Sequence, residues 1–353
     1  MSLARVARDE VRDAECQLFI VRDECLVGID VSVLRSVRKF RIVQWSALHG
    51  SNLARNTRPG GPGFPSGYRA AVVALFVHGG VSGVEKDVLP DLSAAVTAGL
   101  TAASALDMIE AAVRVLEDDP ALNAGHGAVL DIAGNVDLDA GIADGTKGSF
   151  GAVAGVRVAN PITLARRVLE STPHSLMIGD GAAELGADLP EVEIAPARLA
   201  DWHEAKRTGE LDVTRYGSPE KVDTVGAVAL DVDGRLAAGS STGGVFGKLP
   251  GRVGDSPIFG AGFYASRGAA VVGTGVGELF LETLACARAG NLIETGRDPQ
   301  DACEEVVRFL GTRASTSAGL IALDAQGNAG CAFRGGSLSV YGPDGRVDAV
   351  HLT

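Results

Sequence analysis

From Val72 to the C-terminus the sequence alternates between short apolar runs of strand length and longer stretches with helical spacing, and this alternation restricts the fold more than any other feature. Val72 to His78 predicts a buried strand ending in Gly79-Gly80. Asp91 to Asp118 predicts one long helix, with Ala95, Gly99, Ala102 and Leu106 at helical spacing and Pro120 as its stop. Gly127 to Asp131 and Asn135 to Asp139 bracket Ala133-Gly134 as a hairpin, Phe150 to Val156 is another strand, and Asn160-Pro161 opens a helix. Thr224 to Asp231 predicts a strand that turns at Asp233-Gly234 into Leu236 to Ser241. A strand at Ala269 to Thr274, helices at Glu278 to Ala289 and Pro299 to Leu310, and closing strands near Leu320, Cys331 and Val340 follow. Strands, helices, strands, helices, strands imply a layered α+β architecture. With 47 glycines and only 5% aromatic residues, the layers are expected to sit close together around small side chains and tight turns.

Residues 1–71 differ in kind. Residues 1–72 hold 11 Lys and Arg against 7 Asp and Glu, whereas the whole chain has a net charge of −12. The segment runs into the turn-rich linker Arg58-Pro-Gly-Gly-Pro-Gly-Phe-Pro-Ser-Gly67, and within it Leu26 to Leu34 and Phe40 to Trp45 are strand-like. Arginine outnumbers lysine 26 to 6, as in a GC-rich genome where a valine codon can start translation. The expectation is therefore an extension over 1–71, flexible or arising from a misassigned start, ahead of a domain over 72–353. The acidic balance argues against nucleic acid or an anionic membrane as partner. Five scattered cysteines form neither a disulfide framework nor a zinc pattern, which fits a reducing cytoplasm. No apolar stretch is long enough to span a bilayer, and the N-terminus does not read as a signal peptide.

Residues 189–222 break the alternation. They are polar and punctuated by proline, which predicts a long exposed connector, and Thr224 opens a buried strand directly after it. Taken by itself, Thr224 reads first as an ordinary β-branched strand residue. Cutting the Asp223–Thr224 bond would change that. Thr224 would gain a free α-amine, with a reference pKa of about 7.7–8, within reach of its own hydroxyl. Nucleophile and general base would then belong to one residue. The cut can be self-inflicted, by attack of the Thr224 hydroxyl on the Asp223 carbonyl and hydrolysis of the resulting ester.

Several segments sharpen this reading. They are His78-Gly-Gly, Asn123-Ala-Gly-His-Gly-Ala-Val129, Met177-Ile-Gly-Asp-Gly181, Asp223-Thr-Val-Gly-Ala-Val-Ala-Leu-Asp231 and Ser241-Thr-Gly-Gly244. Gly251-Arg-Val-Gly-Asp-Ser-Pro257 with Gly260-Ala-Gly262, and Thr274-Gly-Val-Gly-Glu278, complete the set. Through them, residues 72–353 resemble the plant-type asparaginase / isoaspartyl peptidase family of N-terminal nucleophile hydrolases, in the family's order and at near-family spacing. The resemblance implies a four-layer αββα sandwich. It also implies autocleavage into an α chain ending at Asp223 and a β chain starting at Thr224, and a dimer of such αβ heterodimers. The implied reaction is hydrolysis of L-asparagine and of β-aspartyl (isoaspartyl) dipeptides through a covalent β-aspartyl ester on Thr224, without an organic cofactor.

The resemblance also implies roles by position. Thr224 matches the nucleophile, and Thr242 a second threonine that orients it, although alone Thr242 reads as a turn hydroxyl capping a strand. Arg252 and Asp255 match a clamp on the substrate's α-carboxylate and α-amine, chemistry that suits a guanidinium fork and a carboxylate. On spacing alone they read as a solvated turn salt bridge. Thr274 and Gly275 match an oxyanion hole, Gly277 a substrate-contacting backbone position, and Asn123 an asparagine near the nucleophile. Gly273-Thr-Gly-Val-Gly277 otherwise reads as turn punctuation, since it has neither GxGxxG spacing nor a Walker lysine. The carbonyls of Leu116, Glu117, Asp119, Leu122, Ala124 and His126 match a structural sodium site. The acidic run Glu117-Asp118-Asp119 alone reads as a solvated helix end.

Two departures, Val81-Ser82-Gly83 after the double glycine and Val276 where the family is often polar, touch loop shape and substrate fit. Competing readings remain: a glycosylasparaginase-like amidase, an uncleaved inactive scaffold on the same fold, and a small-ligand or phosphate-binding module. Ser241-Thr-Gly-Gly244 leans against the first, and the competent side chain at every matched position leans against the second.

Overall fold

The computed structural model describes residues 17–22, 25–30, 73–82, 89–211 and 224–353. In the front unit, residues 1–67, the described residues form an antiparallel hairpin of β1 (Gln17–Arg22) and β2 (Cys25–Asp30). The sequence reading missed β1; of its Leu26 to Leu34 strand, residues 26–30 lie in β2 and residues 31–34 lie outside the described residues. The Phe40 to Trp45 strand, the 58–67 linker, residues 212–222 and Asp223 lie outside the described residues.

In the second unit, residues 68–353, the chain runs through β3 (Ala74–Ser82), α1 (Leu89–Leu100), α2 (Ala105–Glu117), β4 (Leu138–Asp144) and β5 (Ser149–Val156). It continues with α3 (Pro161–Ser171), β6 (Leu176–Ile178), α4 (Gly179–Leu185) and α5 (Pro196–Thr208), then β7 (Val225–Leu230), β8 (Leu236–Thr242), β9 (Phe263–Ala265) and β10 (Ala269–Gly275). Helices α6 (Gly277–Thr283), α7 (Ala285–Glu294) and α8 (Pro299–Arg313) precede β11 (Ala318–Asp324), β12 (Ala329–Arg334), β13 (Ser337–Gly342), β14 (Gly345–Val347) and β15 (Val350–His351). An eight-stranded sheet has the order β14-β13-β3-β7-β8-β4-β5-β6, and a five-stranded sheet has the order β15-β12-β11-β10-β9.

Strand alternation distributes the core. Val225, Ala227 and Ala229 on one face of β7 join Ile109 and Ala112 of α2 and Ile162 of α3, while Val228 and Leu230 on the other face meet Val272 and Ile321 of the second sheet. β10 and β11 repeat the pattern. Their opposite faces bring Val271, Leu320 and Ala322 against Phe280, Cys286, Val306 and Leu310 of α6 to α8. Both faces of these strands are therefore dry, which is why they read as continuous apolar runs.

Four sequence expectations change. The long helix over 91–118 is two helices, because Ser104 caps α2 in a reciprocal capping box with Asp107. The start of α2 is also tied to β7–β8 by a bond from Ala105 N–H to Asp231. The hairpin around 127–139 is a turn without flanking strands, closed by Asp131, whose carboxylate accepts from Ala133 and Asn135 N–H. The connector over 189–222 contains α5, which is docked rather than solvated all round. Trp202 is 7% exposed and donates to the Asp131 carbonyl.

The helix over 278–289 breaks at Leu284, a non-glycine residue in the left-handed region at φ 49°, with its side chain 51% exposed. A leucine there carries strain of about 1–2 kcal/mol and caps nothing. Leu284→Asn is expected to raise stability by about 1 kcal/mol, since asparagine tolerates the left-handed region and caps helices. Urea unfolding checks this: a midpoint at or below the parent's would contradict strain at this position.

Candidate active site

Antiparallel pairing of β7 with β8 sets Val225 against Ser241, and this places Thr224 at the mouth of the pair beside Thr242. The Thr224 hydroxyl donates to Thr242 Oγ1 at 3.3 Å, and both residues are nearly dry, at 4% and 3% exposed. Gly244 N–H donates to the same Thr242 oxygen at 3.0 Å, so the second threonine is fixed by its own turn. Asn123 braces that turn from behind. Its amide donates to the Gly244 carbonyl at 2.7 Å, its Oδ1 accepts from Val129 N–H, and its carbonyl accepts from Gly243 N–H.

One pocket is lined by Thr224, Thr242, Arg252, Asp255, Gly275 and Gly277, with Gly244 and Val245 completing its wall. Six of the residues singled out in the sequence therefore converge from four separate segments. Arg252 and Asp255 come from the turn after β8, Gly275 ends β10 and Gly277 starts α6. A Cβ on Gly277 would lie 2.8 Å from both Arg252 Nη2 and Asp255 Oδ1, so only glycine leaves these two groups open to the pocket. Thr274 and Asn123 are not on the lining. The Thr274 hydroxyl accepts from Val81 N–H at 3.1 Å, which directs its own proton elsewhere. Gly275 has φ 145°, and a Cβ there would lie 2.6 Å from the Ser317 carbonyl, so its N–H is presented in a conformation closed to other residues.

Burial dominates the electrostatics. It pushes the Asp255 carboxyl up to about 7 against the downward pull of Arg252, and Glu278 and Asp139 push the same way as burial. Asp255 Oδ2 is buried with no hydrogen-bond partner. His78, fully buried on β3, is held neutral, its pKa driven by burial down to about 3, and its Nδ1 accepts from Gly80 N–H. It supplies no charge to the pocket.

Sequence reasoning gave no role to Glu278, in the first turn of α6. Its carboxylate takes Arg252 Nε at 3.0 Å and Nη2 at 2.9 Å, a bidentate grip that leaves the guanidinium's outer edge for the pocket. The signal was present as the last residue of Thr274-Gly-Val-Gly-Glu278, but the partner 26 positions away could not be read from it.

The loop after α2 is rich in carbonyls rather than side-chain donors. Among the described residues no group of three His, Cys, Asp or Glu side chains could hold a metal ion. The carbonyls of Asp119 and Leu122 both face the space beside Gly127, where a Cβ would sit 2.6 and 2.0 Å from them. Arg198 of α5 donates to the neighbouring carbonyls of Ala121 and Gly127, and the His126 ring is engaged with the Glu193 carbonyl. Backbone oxygens of this kind fit a hard monovalent cation.

A sequence profile of the family described as asparaginase matches residues 72–345. An isoaspartyl peptidase of Salmonella typhimurium is 44% identical over 243 residues, covering 65% of this chain and 78% of the relative. A plant-type L-asparaginase of Pyrococcus abyssi is 40% identical over 285 residues, 74% of this chain and 93% of the relative. An isoaspartyl peptidase/L-asparaginase of Mus musculus is 37% identical over 271 residues, 72% of this chain and 83% of the relative.

Proposed function

The chain belongs to the asparaginase family, and from that premise we propose that it hydrolyses L-asparagine and isoaspartyl dipeptides with Thr224 as an N-terminal nucleophile. The observation that carries this reading is one pocket that holds a threonine hydroxyl, a guanidinium, a buried carboxylate and glycine backbone together. Thr224 Oγ1 first attacks the Asp223 carbonyl, and the Asp223–Thr224 C–N bond breaks to give an ester and free the Thr224 α-amine. Water then hydrolyses the ester to release the Asp223 carboxylate and restore the hydroxyl. In the mature enzyme that amine takes the hydroxyl proton as Oγ1 attacks the β-carbonyl of the substrate. Thr242 orients the hydroxyl, and the Thr274 hydroxyl with Gly275 N–H receives the developing oxyanion. Ammonia or the amino acid leaves with that proton, and water then hydrolyses the β-aspartyl ester to aspartate. Arg252 takes the α-carboxylate and Asp255 the α-ammonium. Asn123 acts by bracing the Thr242 turn.

We read the two sheets and their two groups of helices as the four-layer αββα sandwich, which the three apolar clusters support. The assembly is a dimer of αβ heterodimers in the cytoplasm, and the unpaired buried Cys286, Cys303 and Cys331 suit that compartment. Among the described residues no helix is long and apolar enough to cross a membrane. If sodium is bound, the carbonyls of Leu116, Glu117, Asp119, Leu122, Ala124 and His126 hold it, and it stiffens the loop that carries Asn123 without entering the chemistry.

The test is aspartate release from L-asparagine, an isoaspartyl dipeptide and a glycosylated asparagine. Turnover confined to the glycosylated substrate would move the reading to glycosylasparaginase. A pH dependence follows from Asp255. Its ionised form binds the α-ammonium, and below about 7 that form declines about tenfold per pH unit. KM for L-asparagine, and the inhibition constant of L-aspartate, are therefore expected to fall as pH rises through about 7 and to level off above it. A flat inhibition constant across that range would remove Asp255 from ammonium binding.

A further inference from the structure

Behind the pocket lie two buried charges that the proposed chemistry does not use. Lys248 is 1% exposed and is among the largest fully buried side chains, and Asp139 on β4 is 0% exposed. Burying an ion costs several kcal/mol unless it is paired and hydrogen-bonded, so their placement needs a reason. Asp139 sits opposite Thr242 in the β4–β8 register. Its Oδ1 accepts from Gly155 N–H of β5 at 3.0 Å, and its Oδ2 accepts from Gly254 N–H at 3.2 Å. Gly254 lies between Arg252 and Asp255 in the pocket turn, immediately before Asp255. One carboxylate therefore ties that turn to the sheet on which the nucleophile pair rests.

Lys248 supplies the opposing charge. Its Nζ donates to the Asp137 carbonyl at 2.7 Å, its N–H donates to Val245, and its carbonyl accepts from Ile132 N–H. Burial raises the Asp139 carboxyl above the usual carboxylate range, and the charges of Lys248 and Arg252, with the two N–H groups, offset part of that rise. The lysine is thus fixed at both ends, on a segment leading directly into Arg252.

We propose that Asp139 is a positioning residue that holds the Arg252–Asp255 turn in its substrate-binding geometry through Gly254 N–H, with Lys248 as its buried counter-charge. The inference rests on the reading of Arg252 and Asp255 as the substrate clamp. Asn at 139 presents one oxygen where two N–H groups need acceptors, so one of Gly155 and Gly254 loses its partner. The turn then samples positions from which Arg252 and Asp255 no longer meet the substrate together. Thr224 and Thr242 are anchored by β7–β8 and stay in place.

The experiment uses the full chain and L-asparagine. Asp139→Asn is expected to raise KM at least tenfold with kcat within about threefold of the parent, and to leave chain cleavage complete. Asn at 139 also strands the Lys248 charge, so the double variant D139N/K248M is made beside it. It is expected to regain most of the parent's melting temperature while keeping the raised KM, which a purely structural charge pair would not do. If the single variant does not fold, the double variant gives the reading. A parent-like KM in D139N/K248M, or losses of kcat, KM and melting temperature in proportion, would overturn the inference. Arg252→Ala serves as the control. If it raises KM and the Asp139 variants do not, the positioning role alone is wrong. If Arg252→Ala also leaves KM unchanged, the clamp reading falls and this inference falls with it.

Discussion

Thr224→Ala is expected to leave the protein as one uncleaved 36.1 kDa chain and to lower asparagine and isoaspartyl turnover about 10⁴-fold or more, as removal of a catalytic nucleophile does. The fold should survive. Thr242 keeps its bond from Gly244 N–H, so no buried acceptor is orphaned, and β7 keeps its register against β3 and β8. The lost methyl and hydroxyl at this nearly dry site cost about 1 kcal/mol, well short of unfolding. Inactivity would therefore report chemistry. Thr224→Ser, which retains a hydroxyl, is expected to cleave more slowly but still yield a fragment beginning at residue 224. Intact mass and N-terminal sequencing check both variants. A Thr224→Ala protein that still gave a chain beginning at residue 224 would end the self-cleavage mechanism.

The parts of this fold that the sequence reveals are those whose periodicity is enforced on both faces. β7, β10 and β11 are apolar at nearly every position because helices cover one face and a second sheet the other, so they read as strands without ambiguity. The α1–α2 break was hidden because Ala102 and Leu106 keep the helical spacing across it. The deciding signal was Ser104-x-x-Asp107, a polar cap inside an apolar stretch. Helix α5 was missed for the opposite reason. Only Trp202 and Ala205 are buried on it, so there is no apolar stripe to find, and what docks it is the Trp202 ring and the Arg198 guanidinium. The turn signature Asp-x-x-Gly-Asn/Arg occurs at Asp131, Asp231 and Asp324. In each case the carboxylate accepts two backbone N–H groups of its own turn, yet only the last two turns join regular strands. The side chain fixes the turn, and the flanking apolar runs decide whether it becomes a hairpin.

At the site, local motifs named the residues that meet the pocket and one that braces them, Asn123, but not the others that hold them. Thr224, Thr242, Arg252, Asp255, Gly275 and Gly277 each sit in a short glycine-bearing segment, and such segments let backbone approach a ligand. The residues behind them act across long sequence separations. Glu278 grips Arg252, Val81 N–H holds the Thr274 hydroxyl, and Asp139 reaches Gly254 from 115 positions away. No spacing rule encodes such contacts. A charged residue inside the otherwise apolar run Leu138-Asp139-Ala140-Gly141-Ile142 was the one visible trace.

Arg252→Ala is expected to spare chain cleavage and to raise KM for L-asparagine by about 10²- to 10³-fold, the range expected when one partner of a desolvated charge pair is truncated. Cleavage is spared because it draws on Thr224 and Thr242, whose hydrogen bond does not involve the arginine. The effect on binding has two parts. The substrate carboxylate loses its guanidinium, and Asp255 loses the cation that holds its carboxyl down while Glu278 and Asp139 still push it up. The pH at which KM begins to climb should therefore move upward in the variant, on top of the overall loss. Glu278 is 30% exposed and can turn to water once released, so the global fold is not expected to suffer. Arg252→Lys separates charge from geometry. An ammonium keeps the positive charge but cannot serve Glu278 and a carboxylate from two edges at once, so its KM should fall between those of the parent and the alanine variant. KM profiles across pH for the three proteins make the comparison, and an alanine variant with the parent's KM and the parent's midpoint would place substrate recognition somewhere other than this turn.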